Sequence, residues 1–325
     1  MEAPWEASPE PDTSPFRARR APKGAPTAQH RARGGTAERE GAVRYRIASP
    51  ILAHPWGSPV SPLSEQDLDA LRSWIAQATG VRGEDYRSTF LERRLTPRLR
   101  ATGCPDAASY LAYLEEHRGE ARTLAQKLLV PTTELFRNPE VFAVLRSALR
   151  ERAGLPGWAP LRVMSAPCST GEEAVSLAIL FGEMGLDGRI LAGDRSRRAL
   201  HGLRRGRFAA KSLAKLDNRL RERYFREEVA EARVVPAVAD RILPLCCDLT
   251  RGFPGRGLHV FLLRNLFIYL TEEAQERLLG RAVQALVPGG LLVLGRAESI
   301  GRKRVEGLAA VDAGCKVYAK AWGGA

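Results

Sequence analysis

Beyond residue 160 the chain alternates short apolar runs with longer amphipathic stretches, and this alternation limits the available folds more than any other feature. The runs are "LRVMS" (161–165), "RILAGD" (189–194), "ILPLCCD" (242–248), "LHVFLLRN" (258–265), "GLLVLG" (290–295) and "CKVYAK" (315–320). Apolar runs of this length separated by helix-period segments predict a mainly parallel sheet with crossover helices. The last two are predicted to pair antiparallel at one end. In open α/β sheets ligands bind beyond the carboxyl ends of the strands, so the residues just after each run are the ones to read for chemistry.

The first half is organised differently. Residues 1–60, with "RARRAPKGAPTAQHRARGG", are rich in Pro, Gly, Ala and Arg and hold no period of 2 or 3.6, which predicts a disordered arm. In "SPLSEQDLDALRSWIAQATG", Ser64 and Asp67 have capping-box spacing, Leu68, Leu71, Ile75 and Ala78 share one helical face, and Gly80 closes the helix. "EDYRSTFLERRLTPRLRATG" repeats the period with Leu91, Leu95 and Leu99, while Pro97 is expected to kink or restart it near Thr96. Arg87, Arg94 and Arg98 fall close to one face of this segment as a basic stripe. Two more helices are expected over 106–117 and 119–130. The organisation is therefore an arm (1–60), a helical domain (61–130), a linker with the first helix of the next domain (131–158) and an α/β domain (159–325).

Composition narrows the function classes. The 325 residues are 44% hydrophobic, enough for one large or two ordinary domains, each with its own core. No run reaches the ~20 apolar residues of a membrane span, and the opening "MEAPWEASPEPD" does not resemble a signal peptide. The five cysteines, Cys104, Cys168, Cys246, Cys247 and Cys315, have no zinc or disulfide spacing and suit a reducing cytoplasm. A net charge of +13 suits either nucleic acid or an acidic protein partner. No basic stretch is interleaved with stacking aromatics, so the expectation is no nucleic acid.

The turn after the first strand, "SAPCSTGEEAVSL", lacks both GxGxxG and GxxxxGK[ST], which argues against a pyrophosphate ligand. Gly171 permits a tight turn, and one of Glu172 and Glu173 can face a cationic group or orient the loop. Asp194 ends the second strand, where a carboxylate can accept from both hydroxyls of a ribose. Asp248 after the third strand can accept from an adenine amino group. These acids suggest an adenosine-bearing ligand without a diphosphate, and S-adenosylmethionine fits that description.

Five blocks in order, "VPTTELFRNPEVF", "SAPCSTGEEAVSLAI", "GDRSRRAL", "LLRNLFIYL" and "LVPGGLLVLGRAES", resemble those of the CheR-type chemoreceptor glutamate methyltransferases, from about Leu63 to Lys320. The resemblance implies a Rossmann-like S-adenosylmethionine-dependent methyltransferase domain with a small β-subdomain inserted within about 205–245, preceded by an all-α domain. It implies methylation of glutamates on the cytoplasmic helices of methyl-accepting chemoreceptors in a bacterial chemosensory pathway, with S-adenosylhomocysteine as product, by a cytoplasmic and monomeric enzyme. Thr133, Arg137, Glu173, Asp194, Asp248, Leu249, Arg264 and Asn265 match the family's cofactor contacts. Tyr269 matches the tyrosine near the transferred methyl group, and Arg137 and Tyr269 are the expected catalytic pair. Arg87, Arg94 and Arg98 are expected to orient the receptor.

The sequence also departs from the family pattern. Pro131 stands where Asn is common, Leu135 where an aromatic is usual, and Ala174-Val175 where Pro-Tyr is frequent. His259 replaces an acid and reads as a surface histidine. The loop in "YFREEVAEARVV" is short and lacks glycine, which resembles members that work without a receptor C-terminal pentapeptide. The departures leave open a weakly catalytic scaffold, and the charge leaves open a different methyl acceptor.

Overall fold

The computed structural model describes residues 60–128, 133–300 and 307–322. The expected arm, apart from Val60, and Pro131 lie outside them. The helical domain holds α1 (Glu65–Thr79), α2 (Ser88–Thr102), α3 (Ala107–Glu116) and α4 (Arg118–Leu128). The capping box forms at α1: Ser64 Oγ accepts from the Asp67 N–H at 3.2 Å, and the Asp67 carboxylate accepts from the Ser64 N–H at 2.9 Å. Gly80 ends the helix in the left-handed region at φ 70°. Leu68, Leu71 and Ile75 pack with Leu91, Leu95 and Leu99 of α2, Tyr110 of α3 and Leu124 of α4. Each buried Leu or Ile of this set contributes about 1.5–3 kcal/mol.

Pro97 does not restart its helix, because α2 runs from 88 to 102 as one segment. The carbonyl left without a donor belongs to Arg93, which is exposed, so water can take the bond that proline cannot supply. Arg98 is held inside the domain: its Nε donates to Glu120 Oε1 at 2.8 Å, and Tyr110 donates to the same oxygen at 2.7 Å.

The second domain runs α5 (Pro139–Arg152), β1 (Leu161–Ser165), α6 (Glu172–Met184), β2 (Gly188–Asp194), α7 (Arg197–Arg204), β3 (Arg207–Ala209), α8 (Asn218–Tyr224), β4 (Phe225–Glu227), β5 (Glu231–Val234), α9 (Pro236–Ala239), β6 (Ile242–Cys246), β7 (Leu258–Leu263), α10 (Glu272–Ala285), β8 (Leu286–Leu294), β9 (Leu308–Asp312) and β10 (Val317–Lys320). The main sheet has the order β6-β2-β1-β7-β8-β10-β9. Its first five strands are parallel, and β10 is antiparallel to both neighbours, with Val317 opposite Val293. This is a Rossmann-like α/β fold behind an all-α domain. β3, β5 and β4 form a separate small sheet in the inserted segment. The β4–β5 turn is closed by Glu228 N–H donating to Glu231 O at 2.8 Å.

His259 corrects one expectation. It is fully buried in β7, with Nδ1 accepting from the Arg162 N–H at 2.9 Å and Nε2 donating to Gly157 O at 2.8 Å. Every residue of β7 is buried, because a central parallel strand is covered on both faces and has no outward set.

The strand order reverses between β1 and β7, which opens a crevice at their carboxyl ends. The helical domain is fastened beside it. Tyr86 bridges Leu270, Arg87 N–H donates to Tyr269 O, and Thr271 N–H donates to Asp85 O, the last two at 2.9 Å. Asp85, only 1% exposed, pairs with Arg277 of α10.

Candidate active site

A cavity of ≈ 610 Å³ fills the crevice, walled by the turns after β1, β2 and β7, the segment before α5, and the helical domain. The β1–α6 turn requires glycine at one point. Gly171 has φ 98°, and a Cβ there would lie 2.4 Å from Leu203 Cδ1 of α7. Asp194 ties this turn to the next: its Oδ2 accepts from Ser169 N–H at 2.7 Å and its Oδ1 from Ser196 N–H at 2.8 Å. Burial raises its pKa, and the two N–H groups oppose that rise. Each oxygen has accepted one bond and retains capacity for another.

Glu173 and Arg264 form the floor. Arg264, 3% exposed, donates from Nη1 to Glu173 Oε2 at 3.0 Å and from Nη2 to Asn138 Oδ1 at 2.6 Å and Arg137 O at 3.2 Å. Ser165 Oγ donates to the other Glu173 oxygen at 2.8 Å. Arg264 Nε and Ser169 Oγ are buried without a partner among the described residues. Phe136, Asn138, Ser169 and Asn265 all have positive φ, between 48° and 62°, and all belong to the segments that shape this cavity. Strained non-glycine backbone concentrated in one place is characteristic of functional sites.

Asn265 is positioned by Glu298, whose carboxylate accepts from the N–H groups of Gly295, Asn265 (3.0 Å) and Phe267 (2.8 Å). On the helical-domain side an aromatic row faces the cavity. Phe90 lies 5.4 Å from Tyr86 and 4.8 Å from Tyr269 between ring centroids, with the Arg94 guanidinium 5.6 Å above it. The Tyr86 phenol sits beside Arg195, whose Nε is 3.4 Å from Asp248 Oδ2. Burial raises the Tyr86 pKa, so the phenol is neutral.

Of the residues singled out from sequence, Thr133, Arg137, Glu173, Asp194, Arg264, Asn265, Tyr269 and Arg94 line the cavity together. Asp248 is outside the lining, accepting from Thr250 N–H at 3.0 Å and Thr250 Oγ1 at 2.8 Å while it holds Arg195. Leu249 is buried in the core beneath. Arg87 donates to Leu270 O at 2.8 Å in the seam between domains, and Arg98 belongs to the Glu120 pair. Sequence reading missed Tyr86, Phe90, Ser169, Arg195 and Arg198 in the lining, and Glu298 behind it. Arg195 directly follows Asp194, and that adjacency was the available signal. A second cavity of ≈ 560 Å³ shares Thr133, Glu134, Arg137 and Thr170 and extends to Arg207, Lys211 and Ser212 of the inserted segment. No helix among the described residues is long and apolar enough to cross a membrane.

Residues 66–129 match the family model "CheR methyltransferase, all-alpha domain", and residues 131–314 match "CheR methyltransferase, SAM binding domain". An uncharacterized 104.1 kDa protein of Rhodobacter capsulatus is 33% identical over 238 residues, covering 70% of this chain and 25% of that protein. The probable biofilm formation methyltransferase WspC of Pseudomonas putida is 32% identical over 239 residues, covering 69% and 55%. The chemotaxis protein methyltransferase of Escherichia coli is 30% identical over 250 residues, covering 73% and 85%. The match thus spans a quarter of the first of these proteins and about half of the second.

Proposed function

Since the chain belongs to the CheR methyltransferase family, whose second domain binds S-adenosylmethionine, we propose that it methylates glutamate side chains on the cytoplasmic helices of chemoreceptors. The observation that carries this reading is the cavity at the strand-order reversal, where Asp194, the Glu173–Arg264 pair, Arg137, Asn265 and Tyr269 converge. Its size suits a cofactor, since such pockets measure about 300–1,000 Å³. The donor set fits as well: Asp194 and Glu173 suit hydroxyl and ammonium groups, and the unpartnered Arg264 Nε and Ser169 Oγ suit polar atoms of a ligand. Thr133, Arg137, Glu173, Asp194, Arg264 and Asn265 would hold the cofactor, with Asp248 acting through Arg195.

S-adenosylmethionine supplies a methyl group on a sulfonium, an electrophile that needs no metal. A glutamate with a pKa near 4.3 is ionised at neutral pH, so the chain need not provide a base. Its task is alignment and exclusion of water. The cavity lining carries Arg94, Lys127, Arg137, Arg195, Arg198 and Arg264 against Glu134, Glu173 and Asp194, an excess of positive charge that draws a carboxylate inward. Tyr269, anchored through its carbonyl to Arg87 and through its ring to Phe90, lines the same cavity.

The tight, glycine-free β4–β5 turn supports action without a receptor pentapeptide. Two relatives named for chemotaxis and for biofilm formation favour a receptor-linked acceptor. Incubation with methyl-labelled S-adenosylmethionine and a receptor cytoplasmic fragment tests the reading. Base-labile label on glutamate, lost when the target glutamates become glutamine, is the expected result, and label elsewhere or none would refute it.

A further inference from the structure

α7 carries a row of exposed basic residues. Leu200 and Leu203 are buried, while Arg197, Arg198, His201, Arg204 and the following Arg205 are exposed. These five recur at i, i+1, i+4, i+7 and i+8, which places them along one side of the helix. None forms an ion pair among the described residues. Of the neighbouring arginines, Arg207 pairs with Glu228 and Glu231, Arg221 with Glu227, and Arg219 and Arg223 with Glu183, whereas Arg226 and Arg233 form no ion pair among the described residues. Like charges at such spacing repel each other; the helix C-terminus offsets part of this at Arg204, and no described acid pairs with the stripe. Arg198 also lines the ≈ 610 Å³ cavity, so the stripe begins at its wall.

We propose that the outer face of α7 is the docking surface for an acidic helical segment of the methyl-accepting protein, laid along the stripe so that one carboxylate enters the cavity past Arg198. This rests on the glutamate-acceptor reading above and names the surface that reading lacks. The α2 stripe cannot serve as a whole, because Arg98 is engaged by Glu120 and Arg87 by Leu270, leaving Arg94 at the cavity. The helical period of the α7 stripe matches acids spaced one turn apart on a partner helix, over about 12 Å at 1.5 Å per residue. The exposed face has no Phe, Tyr or Trp to stack on bases, and its leucines point inward rather than toward a lipid surface.

The test uses the full chain and a fluorescein-labelled synthetic helix with glutamates at i, i+4 and i+7, followed by anisotropy. The triple variant R197E/R204E/R205E is expected to bind it at least about tenfold more weakly. The same helix with glutamines should bind wild type about as poorly, and added salt should weaken the glutamate helix. Titration with S-adenosylhomocysteine should be unchanged in the triple variant, which separates a failed docking surface from a failed cofactor site. Equal peptide binding by wild type and variant would overturn the proposal. So would tighter binding of single-stranded RNA, or of phosphatidylserine vesicles, than of the glutamate helix.

Discussion

Arg264 donates to Glu173 across 3.0 Å beneath the cavity, joining the exit of β7 to the first turn of α6. Both side chains are shielded, at 2% and 13% exposure. Removing one partner leaves the other charge buried and uncompensated, which typically costs about 3–5 kcal/mol. Arg264→Met should therefore lower unfolding stability by roughly 3 kcal/mol in urea. The double variant R264M/E173Q should recover part of the loss, because no unpaired charge remains.

Tyr86 reaches from the helical domain to Arg195, and Arg195 reaches on to Asp248. Tyr86→Phe retains the stack on Phe90 and deletes only the phenol oxygen. The expected result is a decrease in S-adenosylhomocysteine affinity of about three- to tenfold, the worth of one net hydrogen bond, measured by calorimetry. Unchanged affinity would place Arg195 outside the cofactor's environment.

Tyr269→Phe separates binding from transfer. Its backbone contact to Arg87 and its packing on Phe90 survive the change. Cofactor affinity should hold, while the single-turnover methyl-transfer rate falls by about tenfold or more if the hydroxyl assists the reacting carboxylate.

His259 introduces an acid sensitivity. Burial pushes its pKa below the usual 6.5, so the folded chain keeps it neutral while the unfolded chain binds a proton. Stability then rises with pH across the window from the folded pKa to 6.5 and is lost as pH falls through it. Asp194, Glu172 and Glu298 act in the opposite sense, since burial raises their pKa values and the folded chain takes up protons first. Between about pH 7.5 and pH 5.5, His259→Gln should show a smaller fall in urea midpoint than wild type. An equal fall in both would assign the acid sensitivity to other groups.

What was legible in the sequence was whatever local pattern controls. The run 161–165 became β1 with the same bounds, and the Ser64–Asp67 spacing became a capping box, because both depend on neighbours in the chain. β9 escaped notice because it is a largely exposed edge strand with no apolar alternation. Pro97 misled because helix interruption depends on whether the orphaned carbonyl can reach water, which is a tertiary property. At the site, strand-end position identified Asp194 and Glu173. It failed for Glu298, an acid buried by three backbone N–H groups that come together only on folding. Tyr86 and Phe90 sit in a segment whose local pattern is set by leucines and arginines, and they join the cavity wall only where the two domains meet.

The central claim is that the cavity between β1 and β7 is the S-adenosylmethionine site, and calorimetric titration with S-adenosylhomocysteine tests it most directly. Wild type should bind with one-to-one stoichiometry, and Asp194→Ala, checked by its melting curve to be folded, should bind at least about tenfold more weakly, the loss expected for a charged hydrogen bond. Equal affinity in wild type and folded variant, or no binding by wild type, would contradict the account.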